Sequence, residues 1–68
     1  MRLDQIRWER ISETFGRAKI DNVLITKDTS QGNDTYYIWQ IESGLIIDKW
    51  LDLDTLAAQS VLYKLFPE

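Results

Sequence analysis

Residues 35–51, TYYIWQIESGLIIDKWL, decide how this chain is read. Thr35–Glu42 is rich in aromatic and β-branched types, which suit a pleated, half-buried surface. Leu45–Leu51 is a second apolar run, and the turn residues between the two make the stretch a β-hairpin. A three-residue loop, Glu42-Ser43-Gly44 with Gly44 left-handed, sets Ile41 opposite Leu45, Trp39 opposite Ile47 and Tyr37 opposite Lys49. One face is then mostly apolar. A two-residue loop would set Trp39 against Asp48 and Gln40 against Ile47, mixing polar and apolar groups on both faces, so the spacing predicts the three-residue loop. The opposite face then pairs Tyr36 with Trp50 and Ile38 with Asp48, leaving aromatic surface outside the main core.

Working outward, Asn22–Asp28 reads as a further strand, with Val23 and Ile25 on one face and Leu24 and Thr26 on the other. The run Thr29, Ser30, Gln31, Gly32, Asn33, Asp34 is an exposed loop. After the hairpin, Asp52 or Asp54 opens a C-terminal helix that closes before Pro67. Its stripe is Leu53, Ala57, Val61 and Leu65, flanked by Ala58, Leu62 and Phe66. Toward the N-terminus, Leu3, Trp8, Ile11 and Phe15 fall within an arc of roughly 140° on a helical wheel. Asp4 in the first turn and Gly16 as a stop complete a predicted helix over residues 3–15. The expected fold is α+β: a three-stranded antiparallel sheet packed with an N-terminal and a C-terminal helix, an α-β-β-β-α two-layer sandwich. Residues 1–68 are read as a single small domain.

The order of these elements resembles that of the double-stranded RNA-binding domain. In that family the last helix begins with a lysine-rich segment that contacts phosphates across a groove. The matching stretch here is Asp48, Lys49, Trp50, Leu51, Asp52, Leu53 and Asp54, whose carboxylates would repel phosphate.

Charge is segregated along the chain. Arg2, Arg7, Arg10 and Arg17 are its only arginines, so residues 1–19 carry five cations against three carboxylates and residues 20–68 three against eight. The two parts are thus +2 and −5 in a chain of net charge −3. On the predicted helix Arg7 and Arg10 share a row beside Trp8, Ile11 and Phe15, and guanidinium beside aromatic surface suits a binding hot spot. The plainer expectation is that both lay their stems along the core edge and pair with Glu9, Glu13 or the acidic remainder.

Catalytic and metal roles find little support. There is no Cys and no His, so Ser12, Ser43 and Ser60 lack the usual activating base, and no cofactor is implied. The clusters Asp28, Ser30, Asn33, Asp34 and Asp48, Asp52, Asp54 miss the calcium-loop spacing and read as turn and capping chemistry. No apolar run approaches the ~20 residues that span a bilayer, so no membrane role is expected. The cysteine-free composition favours a cytoplasmic setting.

The function expected from sequence is a small non-enzymatic protein–protein interaction module, a regulator or inhibitor. It would dock, or self-associate, through an aromatic sheet face (Tyr36, Ile38, Trp50) or through the helix bearing Arg7, Trp8 and Arg10. The alternatives are a nucleic-acid binder using the N-terminal arginines, disfavoured by net charge, and an acidic mimic of nucleic acid that presents the carboxylates of residues 28–54 on one face.

Overall fold

The computed structural model describes residues 1–67. A single 3₁₀ turn, Leu3–Gln5, is followed by strands β1 (Glu9–Ser12), β2 (Phe15–Ile20), β3 (Val23–Asp28), β4 (Thr35–Glu42) and β5 (Leu45–Leu53), then helix α1 (Thr55–Leu65). The strands form one five-stranded antiparallel sheet in sequence order, β1-β2-β3-β4-β5. The class, α+β, is as expected, but the three-stranded sheet between two helices is not. Residues 3–15 form no long helix. Past the 3₁₀ turn they run extended into β1, and Gly16 lies within β2 instead of stopping a helix. The likeness to the double-stranded RNA-binding domain, which rested on that helix and three strands, goes with it.

The reason lies in what the sheet needs covered. Cross-strand partners share a face, and the rows Ala18–Ile25–Ile38–Trp50 and Ile20–Val23–Gln40–Asp48 line the inner face. Ile25, Ile38, Ala58 and Leu62 are fully buried, and Val23 and Tyr36 nearly so. Helix α1 packs on β4 and β5. The remaining inner surface is closed by Leu3, Ile6 and Trp8, which pack against the same core cluster. An extended segment spreads those three side chains across several strands, whereas one helical face would stack them within a few turns. Gly16 and Ala18, small residues on the inner face of β2, leave room above them, and Trp8 sits against Gly16.

The N-terminal segment is pinned to the helix by one side chain. The Gln59 amide accepts from the Leu3 backbone N–H at 2.8 Å and donates to the Met1 carbonyl at 2.7 Å, both in part-buried positions. Helix α1 forms where expected, but the fully buried row is the flanking one, Ala58 and Leu62, while Leu53 of the expected main stripe lies in β5 and Ala57, Val61 and Leu65 are only half-buried. Asp54 is the N-cap, its carboxylate accepting from the Ala57 N–H at 2.8 Å, and Ala58 and Leu62 form the buried row.

The β4–β5 register also differs from expectation. Glu42 pairs with Leu45, so the loop has two residues, Ser43 and Gly44, with φ of 54° and 79°. Two left-handed residues make a turn whose twist matches that of the strands it joins. The polar–apolar mixing that this loop would cause is relieved by a bulge at Ile47, after which Gln40 faces Asp48, Trp39 faces Lys49 and Ile38 faces Trp50. A second bulge sets Leu51 and Asp52 (φ 54°) against Tyr37 and returns Leu53 to the inner face opposite Tyr36.

Two substitutions test this account. Gln59→Ala keeps helix propensity but removes both hydrogen bonds and strands the Leu3 N–H, so it costs about 1–3 kcal/mol, or roughly 4–8 °C of Tm per kcal/mol in a domain this small. At Gly16 an added Cβ would meet Glu9 O at 3.5 Å and Trp8 Cβ at 3.6 Å, ordinary contacts. Gly16→Ala is therefore expected to leave stability unchanged or raise it by up to about 1 kcal/mol, measured by urea unfolding.

Candidate functional site

The residues singled out from sequence are not brought together. Tyr36 and Ile38 are 3% and 0% exposed and lie beneath helix α1 and the N-terminal segment. Trp50 is half-buried against the same core, with Lys64 Nζ 5.9 Å from its ring centroid. These three side chains form the interior of the domain, and the surface they were expected to offer is the opposite one. Trp8 packs against Tyr36 with ring centroids 6.1 Å apart, and Lys27 Nζ lies 5.8 Å from the Trp8 ring and 3.8 Å from Asp34. Arg7 and Arg10, three apart in an extended segment, project to opposite faces instead of sharing a row. Arg10 pairs with Gly16 on the inner side, while Arg7 borders a groove with Glu9, Arg17, Lys19 and Leu24 on the outer side. Both are exposed, and among the described residues neither has a carboxylate within ion-pair distance. The expected partner Glu9 is taken by Arg17 at 3.1 Å.

The sheet face turned away from helix α1 carries what the inner face was expected to expose. Its rows are Arg17–Thr26–Tyr37 and Lys19–Leu24–Trp39–Lys49, bordered by Ile41–Ile46 at one end and by Leu51 beside Tyr37. Tyr37 and Trp39 stack with centroids 6.1 Å apart and planes 15° from parallel. Ile46, Ile47 and Leu51, all on β5, are 59%, 51% and 45% exposed. Trp39, Ile46, Ile47 and Lys49 line one shallow groove. No element of the described chain covers this face, because α1 and the 3₁₀ turn both pack on the other.

Charge on the same face is mixed, with Lys49 beside Trp39 at the β4–β5 side. Arg7, Arg17 and Lys19 cluster at its β1–β2 side against one carboxylate, Glu9. At the β4–β5 side Asp52 accepts from the Tyr37 hydroxyl at 3.0 Å, and this bond raises the Tyr37 phenol above its usual pKa. Asp28, at the end of β3, is held below its ordinary value by donation from Ser30. The carboxylates of residues 28–54 do not share one face, since Asp48 falls on an inner row and Asp52 beside an outer one. The arrangement that an acidic mimic needs is therefore missing.

The edges of the sheet are guarded. All three register shifts fall in β1 or β5, the two edge strands, which also carry Glu9, Arg10, Asp48, Lys49 and Asp52. Bulges and charges at an edge oppose strand addition. Among the described residues no group of three His, Cys, Asp or Glu side chains is placed to hold a metal ion, and no helix is long and apolar enough to cross a membrane. No protein family matches the chain, nor does any curated protein or solved structure.

Burial gives a pH signature that checks the assignment of Tyr36 to the interior. Its phenol is raised above the ordinary value of 10.0, first by desolvation and then by the nearby Asp34 carboxylate. The folded state favours the neutral phenol, so this contribution is complete below pH 10.0 and is lost as pH rises through the folded-state value. Urea unfolding at about pH 9 and about pH 11 is expected to show that loss, and Tyr36→Phe to remove Tyr36's share while leaving that of Tyr37. An unchanged slope in Tyr36→Phe contradicts the interior placement.

Proposed function

We propose that the protein is a non-enzymatic protein-interaction module that docks through the helix-free face of its sheet. The observation behind this reading is the continuous aromatic and aliphatic surface of Tyr37, Trp39, Ile41, Ile46 and Leu51, which the domain's own helix leaves uncovered. An antiparallel sheet packed on one side ordinarily alternates to polar side chains on the other. A surface that departs from this, with large apolar groups rimmed by charge, suits a protein partner. Trp, Tyr and Arg are also the side chains in which interface energy concentrates. Occupation of a target's surface is the expected activity, making the module a regulator or inhibitor. The lack of cysteine suits a reducing, cytosolic setting.

One observation favours a second reading. Stacked Tyr37 and Trp39 beside Arg17, Lys19 and Lys49 have the composition of a single-stranded nucleic-acid platform. Asp52 and Asp28 beside Tyr37, together with the chain's net charge of −3, oppose it.

A photo-crosslinking amino acid at position 39, with position 56 as control, separates the two in the producing cell. Leu56 is 81% exposed but sits on the helix. Protein adducts at 39 and not at 56 are expected. Nucleic-acid adducts at 39, equal trapping at both positions or no adduct at 39 would overturn the protein-docking reading.

A further inference from the structure

We propose that the partner docks an extended acidic segment on this face, laid across the strands along the row Arg7–Lys19–Leu24–Trp39–Lys49. The inference rests on the docking reading above and names the chemistry of its partner. Charge is mixed over the face as a whole but sorted by row. Lys19 pairs with Leu24, Leu24 with Trp39 and Trp39 with Lys49, while Arg7 borders one groove with Lys19 and Leu24. No carboxylate lies on this row. Glu9 and Asp52 belong to the neighbouring one, where Glu9 is paired with Arg17 at 3.1 Å and Asp52 accepts from Tyr37 at 3.0 Å. Arg7, Lys19 and Lys49 are exposed, and among the described residues none has a carboxylate within ion-pair distance. Three cations without counter-charge, set around half-buried Leu24 and Trp39, are complemented by carboxylates flanking an apolar side chain. A short segment feels mainly this row, because exposed charges beyond about 8 Å are screened at physiological salt.

Spacing sets the pattern of that segment. Neighbouring strands lie ~4.8 Å apart, so Lys19 on β2 and Lys49 on β5 are roughly 14 Å apart. An extended chain rises ~3.3 Å per residue with alternate side chains on one side, so positions i and i+4 point the same way about 13 Å apart. Carboxylates at i and i+4 then meet Lys19 and Lys49, an apolar side chain at i+2 rests on Leu24 and Trp39, and a further carboxylate at i−2 reaches Arg7. An extended peptide keeps to one row. A nucleic-acid strand lays bases as well as phosphates on a sheet and covers the neighbouring row too, setting phosphates against Glu9 and Asp52. Both edge strands are bulged and charged, so the segment crosses the face instead of adding to the sheet. Without ladder bonds the contact is weak, with a Kd of about 0.1–1 mM.

NMR titration of the whole chain with the blocked peptide SDSESLSESS, which carries this pattern, tests the assignment. The amide version SNSQSLSQSS and the rearranged SSSDEELSSS are the controls. Saturable shifts at Lys19, Leu24, Lys49 and the Trp39 indole N–H are expected, with the first peptide at least roughly fivefold tighter than either control. Joint replacement by Arg7→Gln, Lys19→Gln and Lys49→Gln is expected to weaken binding at least roughly tenfold, and Arg10→Gln, on the inner face, to leave it unchanged. All four positions are exposed, so these changes test the contact without testing the fold. Raising salt from about 0.05 M to about 0.5 M is expected to weaken binding. No saturable shift, equal binding of a control, or indifference to the triple replacement or to salt overturns the proposal. Tighter binding of a short oligodeoxythymidylate at the same residues also overturns it, as do shifts there on simple dilution of the chain, which would place a second copy on the row. Protein adducts at position 39 that persist when the peptide fails remove only the acidic segment. No adduct there removes the docking reading as well.

Discussion

A single helix is about 10 Å across, whereas five strands at ~4.8 Å spacing measure roughly 19 Å from first to last. That mismatch in width governs the domain. Helix α1 covers β4 and β5, and the rest of the inner face has to be closed by chain arriving from elsewhere. The N-terminal segment does this with Leu3, Ile6 and Trp8, held against the helix by the two hydrogen bonds of the Gln59 amide. Nothing of the described chain is left over for the other face of the sheet. The aromatic surface there and the extended N-terminus are two results of the same shortage of cover.

The shortage also bears on how a chain of 68 residues without cysteine stays folded. Domains of this size bury too little surface to be comfortably stable alone and commonly lean on a staple or on association. Here the buried hydrophobic residues form one thin layer, with Ile25, Ile38, Val23 and Leu62 its largest fully buried side chains, and on the other face only Thr26 is buried. A second layer packed on Tyr37, Trp39 and Leu24 would turn a two-layer domain into a more fully enclosed one. A partner docked on the open face would add stability to the domain, and the bulged, charged edge strands oppose open-ended strand addition.

Much of the C-terminal two-thirds is legible in residue patterns. The loop of residues 29–34, the strand content of 35–51 and the faces of β3 follow from turn chemistry and alternation. The C-terminal helix and a capping Asp at 52 or 54 follow from helical spacing, although the row most deeply buried is the flanking Ala58 and Leu62 and not Leu53, Ala57, Val61 and Leu65. The N-terminal third reads wrongly because Leu3, Trp8, Ile11 and Phe15 fit a helical arc by spacing alone. The same residues also fit an extended segment, in which Trp8 and Arg10 lie on one face and Arg7, Glu9 and Ile11 start on the other. Period alone does not separate these options when apolar residues are sparse. The candidate surface was misplaced for a different reason. Strand β4 is apolar on both faces, Tyr36 and Ile38 against Tyr37, Trp39 and Ile41, so alternation gives no direction. A loop shorter by one residue together with a bulge at Ile47 then sets which partners meet.

Composition and local pattern were enough to establish an α+β chain with an antiparallel hairpin, a capped C-terminal helix and a basic N-terminal part, because capping, turn and stripe signals act over a few residues. Tertiary structure alone decided that residues 3–15 run extended, that Tyr36, Ile38 and Trp50 face inward, and that Arg7 and Arg10 part company across the sheet. Each of those outcomes depends on which surface another element leaves open. Only the folded chain, with one helix set against five strands, answers that.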